Sequence, residues 1–252
     1  MNTAWKKNIL QNFNQASSNY DSHAKIQKFI ANLLAIECSK KRISSKICID
    51  LGAGTGLLAN ILEELKINQS VIRLDASQKM LDKNPRNSSK QLWDLNQGFP
   101  NTFSKPPDLI ASSFVLHWLN QPEVRIKEWF SALAPQGWLA LAVPIAGSFP
   151  EWHKAASLAK VNCTAINFPS NSSLFNSMNQ KNIKYKKIVE ITQTATTVSS
   201  LLKPLIAVGG QATNHKSLTV SEWRKIENSW SFSENNNNKN LTWLIQILLA
   251  QK

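Results

Sequence analysis

The stretch Asp50-Leu51-Gly52-Ala53-Gly54-Thr55-Gly56 decides how this chain is predicted to fold. A short apolar run at residues 46–49 precedes it, and leucines and isoleucines at helical spacing follow it over residues 57–65. The periodicity therefore changes from that of a buried strand to that of a helix within the glycine turn. Glycine permits close approach of a ligand, and the helix that begins here offers unpaired N–H groups. We expect the turn to lie beside a ligand.

The spacing of the glycines narrows the class of ligand. A dinucleotide fingerprint has the spacing G-x-G-x-x-G, whereas the third glycine here, Gly56, comes one residue early. With Asp50 at the start of the turn, two residues before Gly52 and four before Gly54, the string resembles the first motif of class I methyltransferases that use S-adenosylmethionine. In that family the glycines make room for the methionine part of the cofactor. The alternative is an ordinary strand-to-helix turn that needs glycine only for its backbone.

A second acidic residue follows at a suitable distance. Residues 70–75 form an apolar run that ends in Asp75, 23 positions after Gly52. An acidic residue at the end of the second strand of a doubly wound sheet can accept hydrogen bonds from ribose hydroxyls. The sequence Asp75-Ala76-Ser77 also suits the N-cap of a helix, and the two roles are compatible. We therefore assign Asp75 and Ala76 to the cofactor site.

Further strand-like runs follow at residues 91–95, 107–114, 138–143, 184–193 and 241–249. Strands that alternate with helical segments indicate a parallel α/β sheet. We expect an α/β, Rossmann-like class I methyltransferase fold with a seven-stranded, mostly parallel sheet, helices on both faces and a lid insertion after the fifth strand. The resemblance implies that Asp94 and Leu95 contact the adenine and that the segment from Ser112 to Trp118 faces the transferable methyl. Core packing is the alternative for Trp93 and Trp118.

At 252 residues and 42% hydrophobic composition, the chain can bury one full core, so we predict a single domain. Its predicted parts are a helical cap (1–45), a cofactor-binding core (46–146), a lid insertion (147–184) and a C-terminal part of the core (185–252). Asparagine and serine abound in the lid interval, where sheet-like runs are absent. Residues 233–240 read as a polar, asparagine-rich loop.

Composition also bounds the location of the protein. The longest apolar stretch, residues 138–146, is far shorter than the roughly 20 residues of a transmembrane helix. Residues 1–11 contain no signal-peptide core. The three cysteines, Cys38, Cys48 and Cys163, are odd in number and lack metal-ligand spacing, which argues against a disulfide framework or a metal site. We expect a cytoplasmic protein without a membrane partner.

The chain is strongly basic, with 29 Lys and Arg against 16 Asp and Glu and a formal charge of +13. Such a surface attracts nucleic acid, an anionic membrane face or an acidic protein that carries the substrate. The excess is concentrated in Lys6, Lys7, Lys25, Lys28, Lys40, Lys41, Arg42 and Lys46, and in Lys181, Lys184, Lys186 and Lys187. No RNA motif with interleaved aromatic residues accompanies these lysines, so nucleic acid is not favoured.

The N-terminal segment narrows the resemblance to one family. Phe13, Ala16, Tyr20-Asp21 and Ala24 match the opening of malonyl-acyl carrier protein O-methyltransferases, which begin the pimelate branch of biotin synthesis. The resemblance implies that this segment folds over the cofactor and that Tyr20 lies near the active centre. Packing beside a helix is the alternative for Tyr20.

Later stretches resemble the same family, namely residues 113–118, 146–151 and 199–210, so the resemblance covers nearly the whole chain in pieces. One position departs from the pattern, because His117 stands where we expect glutamine in that family. A Phe-x-x-His-Trp pattern also resembles aconitate-type carboxyl methyltransferases. The departure leaves the choice of substrate open.

The expected chemistry needs little from side chains. A methyl on a sulfonium is already activated, and a malonyl carboxylate with a pKa of about 4 is ionised near neutral pH. Positioning and removal of water then carry catalysis, and hydrogen-bond donors suit the carboxylate better than a buried arginine, which would stabilise the ground state. The candidate groups are Tyr20, His117, Arg125, His153 and Lys154, of which we assign Tyr20 and His117 as catalytic.

We therefore predict S-adenosylmethionine-dependent O-methylation of malonyl-acyl carrier protein, or of malonyl-CoA. By the resemblance, the acidic carrier protein meets the basic surface. Two alternatives stay open. One is a methyltransferase that acts on RNA or on a small dicarboxylic acid, and the other is a cofactor-binding protein without activity.

Overall fold

The computed structural model describes residues 3–176, 178–211, 217–232 and 238–252. Its centre is one seven-stranded sheet in the order β3-β2-β1-β4-β5-β7-β6. The strands are β1 (Cys48–Leu51), β2 (Ile72–Asp75), β3 (Lys90–Leu92), β4 (Leu109–Ser113), β5 (Trp138–Pro144), β6 (Ile183–Ala195) and β7 (Lys239–Gln251). Only β7 runs against its neighbours β5 and β6. The predicted mostly parallel seven-stranded sheet is confirmed.

Ten helices lie within the described residues: α1 (Thr3–Ala16), α2 (Tyr20–His23), α3 (Lys25–Lys40), α4 (Leu57–Glu64), α5 (Gln78–Leu81), α6 (Pro122–Ala132), α7 (Pro150–Ala159), α8 (Asn171–Phe175), α9 (Val198–Ala207) and α10 (Val220–Ser229). Short 3-10 turns follow β3 and β4, at Leu95–Gln97 and Leu116–Trp118. No helix in these described ranges is long and apolar enough to span a bilayer. Residues 233–237 of the predicted polar loop and the side chain of Lys6 lie outside the described part of the chain.

Helices cover both faces of the sheet, and the strands show why. On β4, Ala111 packs in the apolar cluster that includes α3, α4 and α7, whereas its neighbour Ile110 packs in the cluster that includes α6 and α8. Both residues are fully buried. Successive residues of a strand point to opposite faces, so a strand buried on both faces is apolar throughout.

The predicted lid interval contributes to both of these clusters. Trp152 and Ala155 of α7 pack with the α3 side, and Leu174 and Phe175 of α8 pack with the α6 side. The division of the chain into a helical cap, a cofactor-binding core, a lid insertion and a C-terminal part of the core stays a prediction.

The parallel order brings the carboxyl ends of β1 to β4 to one edge of the sheet. The glycine turn follows β1, Asp75 ends β2, Asp94 follows β3, and Phe114 follows β4. In open α/β sheets a ligand binds in the crevice outside these strand ends. The fold therefore gathers four of the segments that the sequence singles out.

Candidate active site

A cavity of about 710 Å³ lies at this edge of the sheet, and we call it the strand-end cavity. Seven of the predicted site residues line it: Tyr20, Gly52, Gly54, Asp75, Ala76, Asp94 and Leu95. Helix α1 forms another wall through Lys7, Ile9, Leu10 and Phe13. The N-terminal helix therefore lies against the same cavity as the glycine turn.

Two glycines of the turn serve the cavity in different ways. Gly52 has a φ of +72°, and a β-carbon there would collide with the side chain of Val115. Gly54 has a φ of +55°, and a β-carbon there would meet nothing within 4 Å. Because Gly54 lines the cavity, that open space is part of it. The bare backbone at Gly54 lets a ligand approach closely.

The carboxylate of Asp75 connects the ends of two strands. Its Oδ2 accepts a hydrogen bond from the Gly54 N–H at 2.8 Å, and its Oδ1 accepts one from the Ser77 N–H at 2.8 Å. Burial raises the pKa of Asp75, and these backbone donors oppose the rise. Ser77 is the N-cap of α5, as the sequence suggests, and its Oγ accepts from the Met80 N–H at 3.1 Å.

Asp50 lies beneath the turn rather than in the strand-end cavity. It is 1% exposed and borders a recess of about 40 Å³ that Gly52, Thr55 and Tyr20 also line. Burial raises the pKa of Asp50 to about 7, although the charge of Arg73 opposes the rise. Among the described residues, no group donates to its buried Oδ2. This unpartnered carboxylate oxygen marks a place where a polar ligand group would be stabilised.

Tyr20 lines both the strand-end cavity and the recess beside Asp50. Burial, together with the charges of Asp75 and Asp21, raises the pKa of its phenol above the ordinary value, so the phenol stays protonated. The neighbouring Asp21 accepts a hydrogen bond from Thr55 Oγ1 of the glycine turn at 2.5 Å. This bond holds the Tyr20 segment against the turn.

A small aromatic compartment of about 30 Å³ adjoins the strand-end cavity. It is lined by Phe13, Tyr20, Gln27, Phe114, His117, Trp118, Ile166, Phe168, Leu205, Val208, Gly210 and Trp243. Phe13, Tyr20, Phe114 and Trp118 also line the strand-end cavity, so these four aromatic side chains separate the two spaces. The aromatic compartment is nearly filled by its own walls.

His117 belongs to the aromatic compartment and does not line the strand-end cavity. Its ring centroid lies 4.7 Å from that of Trp118 and 5.4 Å from that of Phe168. Burial lowers the pKa of His117 to about 3, so the imidazole is neutral near neutral pH. No described group pairs with its Nδ1.

The structure does not bring every candidate residue into these spaces. Ser112 donates from its Oγ to the Leu51 carbonyl at 2.8 Å, and its neighbour Ser113 lines the cavity instead, because adjacent strand residues face opposite ways. Gly56 begins α4 in the left-handed conformation and lines neither space. Arg125 pairs with Glu128 at 2.7 Å. His153 and Lys154 are exposed on α7.

Several residues at the site are absent from the sequence assignments. Ser77 lines the strand-end cavity and donates to Asn14 Oδ1 of α1 at 2.6 Å, although its sequence context indicates only a cap. Phe168 and Trp243 complete the aromatic compartment from distant segments. An isolated aromatic residue carries no motif, so no signal in the sequence could identify these two. Trp93, for which we weighed core packing, lines the cavity.

A family described as "Methyltransferase domain" matches residues 20–185, more than half of the chain. The malonyl-acyl-carrier-protein O-methyltransferase 2 of Coxiella burnetii is 31% identical over 149 residues, which cover 58% of this chain and 60% of the relative. The malonyl-acyl-carrier-protein O-methyltransferase of Marinomonas sp. is 23% identical over 99% of this chain and 95% of its own length. The chain thus spans less than two thirds of the Coxiella relative and nearly all of the Marinomonas relative.

Solved structures agree on the fold. The N-methyltransferase NodS of Bradyrhizobium japonicum, in complex with S-adenosylhomocysteine, superposes with a TM-score of 0.54 at 12% identity, covering 97% of this chain and 98% of that one. The predicted Rossmann-like fold and methyltransferase class are confirmed. The chain belongs to the methyltransferase domain family.

Proposed function

We propose that this methyltransferase esterifies the free carboxylate of malonyl-acyl carrier protein, or of malonyl-CoA, in the first step of the pimeloyl branch of biotin synthesis. The names of the Coxiella and Marinomonas relatives support this substrate. The observation that carries the proposal is the chemistry of the aromatic compartment, in which every polar lining side chain is neutral.

On the cofactor side, the residues present fit S-adenosylmethionine. The open backbone at Gly54 gives room beside the turn, and Asp75 lies where ribose hydroxyls can donate to it. Asp94 and Leu95 border the far end of the cavity and would contact the adenine. The unpartnered oxygen of Asp50 suits the ammonium of the methionine part. When bound, the cofactor supplies a methyl that its sulfonium already activates.

On the acceptor side, the polar lining groups are the Tyr20 phenol, the Gln27 amide and the His117 imidazole. The phenol stays protonated because its pKa is raised, and the imidazole stays neutral because its pKa is lowered to about 3. Neutral donors orient a carboxylate without the ground-state stabilisation of a full ion pair. The carboxylate therefore keeps its nucleophilicity, and we assign Tyr20 as the hydrogen-bond donor that contacts it.

The surrounding rings serve the same step by excluding water. A carboxylate stripped of water is more reactive toward a sulfonium, because the two charges cancel as the methyl transfers. No general base is required, since a carboxylic acid with a pKa of about 4 is ionised near neutral pH. The free volume of about 30 Å³ is that of one water molecule. Entry of the acceptor therefore requires the lining side chains of the compartment to move apart.

The basic composition supports an acidic partner. The formal charge of +13 attracts anions at long range. A carrier protein with an acidic surface is such a partner. The proposal includes a cytoplasmic location, in keeping with three cysteines that are all free.

Mass spectrometry of malonyl-acyl carrier protein incubated with the protein and S-adenosylmethionine tests the proposal. We expect the malonyl group to gain one methyl, and acetyl-acyl carrier protein, which has no free carboxylate, to stay unchanged. RNA and aconitate serve as competing acceptors in parallel reactions. Methylation of either one without methylation of malonyl-acyl carrier protein would replace the proposal with the first alternative, a methyltransferase that acts on RNA or on a small dicarboxylic acid.

A further inference from the structure

A third cavity, of about 400 Å³, lies between α7, α9 and α10, and we call it the outer chamber. It is lined by Trp152, Thr164, Ala165, Ile166, Ser199, Leu202, Leu205, Ile206, Gly210, Gln211, Ser217, Leu218 and Trp223. Ser199, Gln211 and Ser217 are exposed, and Ile206 is 51% exposed, so this side of the chamber faces solvent.

The inner end of the outer chamber meets the aromatic compartment. Ile166, Leu205 and Gly210 line both spaces. The aromatic compartment in turn shares Tyr20 and Trp118 with the strand-end cavity. The three spaces therefore form a series from solvent, through the outer chamber and the aromatic rings, to the glycine turn.

The lining of the outer chamber indicates the kind of molecule that it accepts. Among the described residues, no charged side chain lines it. Its surface is mostly apolar, with the hydroxyls of Thr164, Ser199 and Ser217 and the amide of Gln211 as polar groups. Such a lining suits an uncharged chain that carries a few amides, because each amide can find a partner while the alkyl parts are buried. It does not suit a nucleic acid backbone.

We propose that the outer chamber binds the pantetheine arm of the acceptor thioester, and this inference rests on the proposed function. The arm consists of alkyl units joined by two amides, and its thioester end carries the malonyl group. With the arm in the outer chamber, the malonyl carboxylate reaches the aromatic compartment, and the carrier protein lies over α9 and α10. CoA and acyl carrier protein share this arm, so both acceptors enter by the same route.

Charge on the two helices agrees with this placement. Lys203 of α9 and Arg224 and Lys225 of α10 are exposed. Helix α10 also carries Glu222 and Glu227, so the two helices together have a net charge of +1. An acidic carrier docked over α9 and α10 would lie on the helices that carry the three exposed cations. The placement differs from the two basic clusters that stand out in the sequence, Lys40-Lys41-Arg42 and residues 181–187.

The test blocks the outer chamber at its rim with Ser199→Trp, an exposed position, and uses Ser200→Trp as the matched control. Ser200 is also exposed on α9 but does not line the chamber. The acceptors are malonyl-pantetheine, which has the full arm, and malonyl-N-acetylcysteamine, which has only its thioester end. For Ser199→Trp we expect KM for malonyl-pantetheine to rise by at least about tenfold, the low end of the effect of one misfitting group in a pocket. The short acceptor and the control variant should give parent values.

Parent KM for malonyl-pantetheine in Ser199→Trp would overturn the inference while leaving the proposed function intact. If the parent protein methylates neither these thioesters nor malonyl-acyl carrier protein, the proposed function fails and the inference fails with it. Calorimetric binding of S-adenosylmethionine reports folding, and should Ser199→Trp not fold, Ile206→Trp at the same rim carries the test.

Malonyl-acyl carrier protein then tests the docking face. Reversal of Lys203, Arg224 and Lys225 to Glu should lower kcat/KM for this acceptor at low salt and leave malonyl-pantetheine unaffected. Reversal of Lys40, Lys41 and Arg42 is the matched control with the same change in charge. If kcat/KM falls when Lys40, Lys41 and Arg42 are reversed and does not fall when Lys203, Arg224 and Lys225 are reversed, the carrier does not dock over the outer chamber.

Discussion

The strand-end cavity and the aromatic compartment are neighbours that share four aromatic side chains, yet they differ in almost every physical respect. The cavity has about 710 Å³ of space and is bordered by bare glycine backbone and the carboxylates of Asp75 and Asp94. The compartment has about 30 Å³ and is bordered mainly by rings. The cavity is already formed for a polar ligand, whereas the compartment must open before it can receive one. Under the proposed function, the protein separates recognition of the methyl donor from desolvation of the acceptor.

The two regions also differ in how the chain builds them. Backbone geometry and carboxylates at successive strand ends determine the cavity, so single changes there should abolish binding of the cofactor. Side chains from many segments determine the compartment, so single changes there should alter turnover while binding of the cofactor persists.

The largest effect is expected from Gly54→Val. A β-carbon would enter open space of the strand-end cavity, and a branched side chain at a φ of +55° is strained. Steric exclusion and strain of about 1–3 kcal/mol act together, so affinity for S-adenosylmethionine should fall by about a hundredfold or more. Calorimetric titration measures this affinity.

Gly147→Val is the matched control for Gly54→Val. Gly147 also has a positive φ, of +97°, but its β-carbon would approach only the flexible Leu244 side chain, at 2.9 Å. The control should lose thermal stability and keep its affinity for the cofactor. Equal affinities for the two variants would contradict the role given to the space beside Gly54.

A smaller loss on the same side is expected from Asp75→Ala. The variant loses the proposed ribose acceptor, and a hydrogen bond to a charged group contributes about 1.5–3 kcal/mol, or roughly one to two orders of magnitude in affinity. Stability should fall as well, because the Gly54 and Ser77 N–H groups lose their acceptor. Asp82→Ala, which removes a nearby exposed carboxylate, is the control. Unchanged binding by folded Asp75→Ala would remove Asp75 from the cofactor site.

Tyr20→Phe tests the acceptor side. The ring still separates the two spaces, but the hydroxyl that we place on the carboxylate is lost, so kcat should fall by roughly one to two orders of magnitude. Binding of S-adenosylmethionine should change little, in contrast to the two preceding variants. The chain has only one other tyrosine, Tyr185 on β6, and Tyr185→Phe is the matched control. A parent rate for Tyr20→Phe would make Tyr20 a packing residue.

The smallest effect on methyl transfer is expected from His117→Gln. The imidazole is neutral at pH 7 because burial lowers its pKa to about 3, so a neutral amide should sustain a rate within a few-fold of the parent. The substitution should instead change how the stability of the protein depends on acid pH. Between pH 6.5 and 3 the unfolded chain binds a proton at His117 that the folded protein does not, so stability falls as the pH falls through this window.

Denaturant unfolding of both proteins at pH 7 and pH 5 measures the signature of His117. The variant lacks this penalty. When the pH is lowered from 7 to 5, its free energy of unfolding should therefore fall by roughly 1–2 kcal/mol less than that of the parent. A parallel loss of stability in the two proteins would mean that His117 is protonated in the folded state.

The same contrast explains how much could be predicted from sequence. The glycine turn, Asp75 and Asp94 each lie at the end of a strand and belong to a short motif. The ends of parallel strands meet at one edge of the sheet, so residues that the motifs identify separately lie close together in the fold. Phe168 and Trp243 reach the aromatic compartment only through tertiary packing, which leaves no local pattern. Ser112 shows the limit within a motif, because a shift of one residue along a strand reverses the face.

The reversed strand β7 has a consequence for how the protein is made. It pairs with β5, with Trp138 of β5 opposite Gln251 of β7, and it supplies Trp243 to the aromatic compartment. Strands β1 to β4, with the turn that we propose binds the methyl donor, are complete more than a hundred residues earlier in the chain. Contacts between distant segments form slowly, and domains emerge from the ribosome N-terminal end first. The chain therefore emerges with every strand of the proposed donor site before the strand that completes the proposed acceptor site, so the acceptor site depends on a late contact between distant segments.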